Sequence, residues 1–140
     1  MKIDAILATK GMSVITIRPE QSIREAIALL SKHNIGALVV VNDAGAVVGI
    51  LSERDIVRRA SHDDQTFTRL VHQLMTDKVV TGTPSDDLDA VLSTMTRRHF
   101  RHLPIVENGK LMGIVAIGDL VKARLDQYRG ELDNLHTQLT

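Results

Sequence analysis

Gly49-Ile50-Leu51-Ser52-Glu53-Arg54-Asp55 returns further along the chain as Gly113-Ile114-Val115-Ala116-Ile117-Gly118-Asp119. Working outward from that pair, residues 14–60 align with residues 79–124. Val14-Ile15-Thr16 matches Val79-Val80-Thr81, and Pro19 matches Pro84. Ala37-Leu38-Val39-Val40-Val41 matches His102-Leu103-Pro104-Ile105-Val106. A one-residue deletion in a turn is the one shift of register. Self-similarity of this kind marks two copies of a single supersecondary unit.

Each copy spells β-α-β-β-α. A β-branched run (14–17; 79–81) predicts a short strand that ends in a Pro turn. In the first copy Ser22 and Glu25 predict a capping box, and Ile23, Ala26, Ile27 and Leu30 share one helix face. In the second, Asp87 caps, with Leu88, Val91, Leu92 and Met95 on that face. Two strands follow, joined at Asn42-Asp43-Ala44-Gly45 and at Glu107-Asn108-Gly109-Lys110; Asn-Gly is a strong hairpin signal. The runs 37–41 and 47–51 are almost continuously apolar, which predicts cover on both faces. A closing helix begins at Ser52 in one copy and near Gly118 in the other. The polar stretch 61–68 reads as a loop and 69–75 as a short helix.

A unit this small has too little interior to be stable alone. Two copies packed face to face about a pseudo-twofold axis solve that, and the packing creates two related clefts. The expected fold is α/β (α+β), with repeat 1 over 8–60, a connector with a short helix over 61–75, repeat 2 over 76–125 and a helical C-terminal extension over 126–140. Along that last helix Val121, Leu125, Tyr128, Leu132, Leu135 and Leu139 form an a/d heptad seam. Gly130 interrupts it at a cost of roughly 1 kcal/mol. The seam either folds back on its own chain or pairs with a second chain; homodimer pairing is the favoured reading.

Composition narrows the function classes. Of 140 residues 44% are apolar, and Lys plus Arg equals Asp plus Glu at 17 each, which argues against general affinity for nucleic acid or an anionic membrane. The absence of Cys excludes disulfides, thiolate metal sites and a cysteine nucleophile. No secretory signal and no run of about 20 apolar residues is visible, so the expected location is cytoplasmic. With one Tyr and two Phe, a bound ring would be held by aliphatic side chains and backbone.

With the repeat and these motifs in place, the chain resembles a tandem pair of cystathionine β-synthase (CBS) domains, a Bateman module, over about residues 1–125. It looks like the stand-alone bacterial CBS-pair proteins. The resemblance implies that Gly-apolar-x-Ser/Thr-x-x-Asp closes each copy and binds adenosine ligands, with the Asp on the ribose hydroxyls and the Ser or Thr beside the phosphate. The chemistry agrees: a carboxylate accepts two hydrogen bonds from a cis-diol, and a Ser at a helix start lies beside free backbone N–H groups. The plainer reading is that Ser52 is an N-cap and Asp55 complements the helix dipole. By the same resemblance, the first site comprises Leu51, Ser52, Arg54 and Asp55, facing Thr76, Asp77, Lys78, Phe100, Arg101 and His102. Leu51 and Phe100 would sandwich the base; Arg101, His102 and Lys78 would neutralise phosphate. The second site comprises Val115, Ala116 and Asp119, facing Gly11, Met12, Ser13, Ile35, Gly36 and Ala37. Ala116 lacks the hydroxyl, and one charged hydrogen bond is typically ~1.5–3 kcal/mol. The first site is therefore expected to take the phosphorylated ligand.

The basic run Arg97-Arg98-His99-Phe100-Arg101-His102 reads as phosphate contact or a solvated helix end; its aromatics are too few for single-stranded nucleic acid. His99 and His102 without a third ligand are a weak metal signal. No acid–base pair, nucleophile constellation, P-loop or Gly-x-Gly-x-x-Gly is present. The expected function is a non-catalytic sensor of an adenine nucleotide, with AMP favoured and ADP, ATP or NAD(H) the further candidates, read out by an unidentified downstream protein. The alternative is a structural or adaptor dimerisation module with vestigial clefts.

Overall fold

The computed structural model describes residues 1–139. Its order is α1 (Ile3–Lys10), β1 (Thr16–Ile17), α2 (Ile23–His33), β2 (Ala37–Val41), β3 (Val47–Ser52), α3 (Glu53–Ala60), a 3₁₀ turn (Thr66–Thr68), α4 (Val71–Leu74), α5 (Leu88–Arg98), β4 (His102–Glu107), β5 (Lys110–Ala116) and α6 (Ile117–Leu139). β1 pairs in parallel with β2, β2 pairs antiparallel with β3, and β4 pairs antiparallel with β5. Register shifts fall at Val40/Val41 and at Ile105/Val106, the same place in each copy.

The helices follow their sequence signals. Ser22 Oγ accepts the Glu25 N–H at 3.1 Å and Asp87 Oδ2 accepts the Ala90 N–H at 3.1 Å. The expected capping box at Ser22 is only half made, because the Glu25 carboxylate turns to the Gln21 side-chain amide at 2.7 Å. Both α2 and α5 end in a left-handed residue, Asn34 (φ 50°) and His99 (φ 59°), at matching points of the repeat. At the second hairpin Asn108 and Gly109 both have positive φ (51° and 75°), as a tight Asn-Gly turn requires. β2 is buried at every residue, in line with its apolar run.

The strand expected at 79–81 does not form. Only an isolated parallel bridge, Gly82↔Ile105, joins this segment to β4. The reason is Pro104. In the first copy Thr16 pairs with Val39; a parallel ladder requires the residue at Val39 to donate its N–H to the strand alongside. Its counterpart Pro104 has no N–H. The complementary bond survives, with Gly82 N–H donating to Pro104 O at 2.9 Å. The connector also holds more structure than a loop. Arg59 and Arg69 both donate to Asp63 Oδ2, at 3.0 and 3.1 Å. These guanidinium groups, Arg69 foremost, hold the Asp63 carboxyl far below the usual carboxylate range.

Packing does not follow chain order. α1, which the sequence pattern did not announce, buries Ile3, Ile6 and Leu7 in one cluster with Leu88, Val91, Met95, Leu103, Ile105, Val115 and Leu120. The first copy's cluster is completed by Val71 of α4. The main chain repeats the exchange: Ile3 N–H donates to Asp86 O at 2.9 Å, and Val71 N–H to Gln21 O at 2.8 Å. Thus the N-terminal segment completes the second copy and the connector completes the first. α6 runs unbroken past Gly130, which sits on the opposite side from the a/d seam by helical spacing. All six seam residues are exposed, from 44% at Val121 to 78% at Leu139.

Leu7 is 3% exposed inside the second copy's core. Leu7→Ala should lower stability by about 2–5 kcal/mol in chemical denaturation; a loss under ~1 kcal/mol would show that α1 is dispensable to that core.

Candidate functional site

The turn from each hairpin into its closing helix is built the same way in both copies. Ser52 N–H donates to Asp55 Oδ2 at 2.9 Å, and Ala116 N–H donates to Asp119 Oδ2 at 2.8 Å. In the first copy Ser52 Oγ returns the bond, accepting the Asp55 N–H at 3.2 Å. The plain capping role of Ser52 and Asp55 is therefore present. It leaves further acceptor capacity on the Asp55 carboxylate, because an ionised carboxylate has about four lone-pair sites.

Around that turn lies a cavity of about 330 Å³, lined by Gly36, Ile50, Ser52, Glu53, Arg54, Asp55, Arg58, Thr76, His99, Phe100, Arg101 and His102. The sequence named seven of these for the first site: Ser52, Arg54, Asp55, Thr76, Phe100, Arg101 and His102. Asp77 and Lys78 are exposed and do not line it. Leu51 does not face it either. It is fully buried in the first copy's core, and side chains alternate along a strand, so Ile50 presents its side to the cavity instead. Phe100 supplies the other large apolar group and also walls a second cavity of about 200 Å³ against α5. Gly36, expected in the second site, belongs to the first; a Cβ there would stand 3.5 Å from His102 Nε2.

Sequence reasoning missed Ile50, Glu53 and Arg58, and named His99 only within the basic run 97–102. Arg58 was findable, since it follows Arg54 by one helical turn and must share its face. His99 enters because its left-handed conformation ends α5 and turns the chain toward β4.

Charge is distributed unevenly here. Among the described residues Arg54, Arg58 and Arg101 make no ion pair, and neither do Glu53 and Asp55. Three uncommitted guanidinium groups against two carboxylates leave an excess of positive charge facing the cavity. His102 adds little to it. Burial foremost, with the Lys10 and Arg101 charges, pushes its imidazole below the usual range, against the opposing pull of Asp119 and Glu53. The lowered imidazole leaves Arg54, Arg58 and Arg101 as the stronger candidates for phosphate, with His102 beside them as a hydrogen-bonding group.

The second site is arranged differently. Asp119 is bound by Lys10, whose Nζ donates to Asp119 Oδ2 at 2.7 Å and to Ile114 O at 2.7 Å. Asp119 and Lys10 both line a cavity of about 430 Å³ between α1 and α6. Of the other residues expected there, Val115 and Ala37 are buried in the interior, while Gly11, Met12 and Ser13 are exposed. None of the three cavities draws on these five, or on Ile35 or Ala116.

The family model of the CBS domain matches residues 6–62 and 71–126. A CBS-domain protein from Agrobacterium tumefaciens is 41% identical, with a TM-score of 0.85 over 89% of this chain and 99% of that one. A CBS domain pair solved with 5′-methylthioadenosine and S-adenosyl-L-methionine is 26% identical, with a TM-score of 0.81 over 91% of this chain and 98% of its own. A third structure, solved in complex with AMP, is 25% identical, with a TM-score of 0.76 over 91% and 98%. No helix among the described residues is long and apolar enough to cross a membrane. With two matches that together span most of its length, the chain belongs to the CBS domain family and carries the domain as a tandem pair.

Proposed function

We propose that the first cavity binds an adenine nucleotide, with AMP favoured over ADP, ATP or NAD(H), and that the protein is a regulatory sensor rather than a catalyst. The observation that carries this is one cavity holding Asp55 and three arginines, none of which makes an ion pair among the described residues. The carboxylate suits a ribose cis-diol. Arg54, Arg58 and Arg101 suit phosphate, through the planar fork of each guanidinium. Ile50 and Phe100 offer apolar surface to the base. Related CBS pairs solved with AMP and with S-adenosyl-L-methionine support an adenosine ligand. The excess cationic charge favours the phosphorylated one, because the sulfonium of S-adenosyl-L-methionine is itself positive.

The ligand would touch both copies: Ser52 and Asp55 from the first, Phe100 and Arg101 from the second. Binding therefore biases how the copies sit against each other, and a partner protein reads that change. Homodimer pairing through α6 transmits it further. A second reading, an adaptor whose main business is dimerisation, is favoured by that same exposed seam.

A melting-temperature panel with these nucleotides separates the two readings. A ligand at about 100 times its dissociation constant adds about 2.7 kcal/mol, or roughly 5–15 °C for a chain of this size. AMP should raise the melting temperature in that range, and Asp55→Ala should remove most of the rise. No shift with any nucleotide favours the adaptor. For the seam, Leu132→Glu should convert a dimer into a monomer in light scattering; a surviving dimer would place the interface elsewhere.

A further inference from the structure

We propose that Lys10 is an internal occupant of the second site and holds it closed to ligand while the first site stays open. This rests on the reading of Asp55 and Asp119 as equivalent ribose-binding carboxylates.

The two carboxylates are set up alike, each accepting the amide N–H of the residue three before it. They differ in what else approaches. Asp55 makes no ion pair among the described residues, whereas the Lys10 ammonium sits 2.7 Å from Asp119 Oδ2. The neighbouring carbonyls differ in the same way. Ile50 O accepts the backbone N–H of Thr76 at 2.9 Å; its counterpart Ile114 O accepts Lys10 Nζ at 2.7 Å. A side-chain ammonium in the second copy thus fills the place of a main-chain bridge in the first.

The cause lies in the lengths of the exchanged helices. Ile3 and Val71 make matching main-chain bonds, and Leu7 and Met75 stand over Gly113 and Gly49 respectively. Beyond that point α4 has already ended at Leu74, and Thr76 is extended against Ile50. α1 instead continues to Lys10 before Gly11 turns the chain away at φ 98°. That extra turn delivers Lys10 to Asp119.

A ligand diol must displace an ammonium held by two charge-assisted hydrogen bonds. Its apparent affinity falls by the fraction of chains in which Lys10 has let go. The pair is reachable, with side chains 34% and 30% exposed, so its release needs no unfolding.

Isothermal titration with AMP, repeated with ATP and NAD⁺, tests this by stoichiometry. The unmodified chain should bind one equivalent, lost in Asp55→Ala. Lys10→Met should bind a second equivalent, lost again when Asp119→Ala is added, with an affinity roughly tenfold to a hundredfold above any second event in the unmodified chain. Lys10→Gln should behave as Lys10→Met does, which guards against a fold defect in one variant. Ala116→Ser alone should leave the site closed, which separates the Lys10 contact from the missing hydroxyl. If both Lys10 variants keep a single equivalent, or if the unmodified chain already fills an Asp119-dependent site, the proposal fails while the first-site reading stands. If no nucleotide binds to any variant, or binding ignores Asp55→Ala, the reading of the carboxylates fails and takes this proposal with it.

Discussion

Leu7 stands so close over Gly113 that a Cβ there would lie 2.7 Å from its Cδ2, and Met75 covers Gly49 in the same manner. These two contacts belong to helices that have changed places. α1 at the N-terminus seals the second copy, and α4 in the connector seals the first. Neither copy has a closed core without a segment that lies ahead of the other copy's first strand. The copies are thereby tied into one cooperative unit. Close approach favours glycine at 49 and 113, since a Cβ at either would push against the side chain packed over it.

The exchange also sets the character of the clefts. It brings Thr76, which follows α4, to the edge of the first hairpin, beside the Ser52–Asp55 turn. It brings the longer α1 to the second hairpin, where the chain delivers Lys10 instead. Symmetry at the level of secondary structure thus yields asymmetry at the level of charge. One carboxylate faces three arginines without ion pairs; the other already has its cation. His102 lies between these environments. His102 lines the first cavity, yet its titration is shifted by both members of the Lys10–Asp119 pair.

Much of this was legible in the sequence because periodicity and turn chemistry act locally. The repeat shows when the chain is aligned with itself, while the hairpins, the caps at Ser22 and Asp87 and the course of α6 to Leu139 depend on neighbours within a few residues. Ser52, Asp55, Phe100, Arg101 and His102 were found because motif and resemblance named them together. What escaped depends on distant partners. α1 is a short helix with little local signature, and its apolar face has meaning only against α5, the second hairpin and α6. Lys10 looked like an ordinary helix-end lysine, and its partner lies 109 residues away. The lost strand at 79–81 could have been foreseen, because Pro104 already stood in the sequence where a ladder donor was needed. Leu51 was assigned to the cavity by its place in the motif, whereas the alternation of side chains along β3 assigns that place to Ile50.

Asp55 and Asp119 hold equivalent places in the fold, and only Asp119 already has an ion-pair partner among the described residues. A crystal structure of the unmodified protein grown with AMP tests what this difference does to binding most directly. The account predicts ribose hydroxyls within hydrogen-bond distance of Asp55, phosphate against the arginines, and Lys10 still on Asp119. AMP found on Asp119 with Lys10 displaced and Asp55 unoccupied would contradict it.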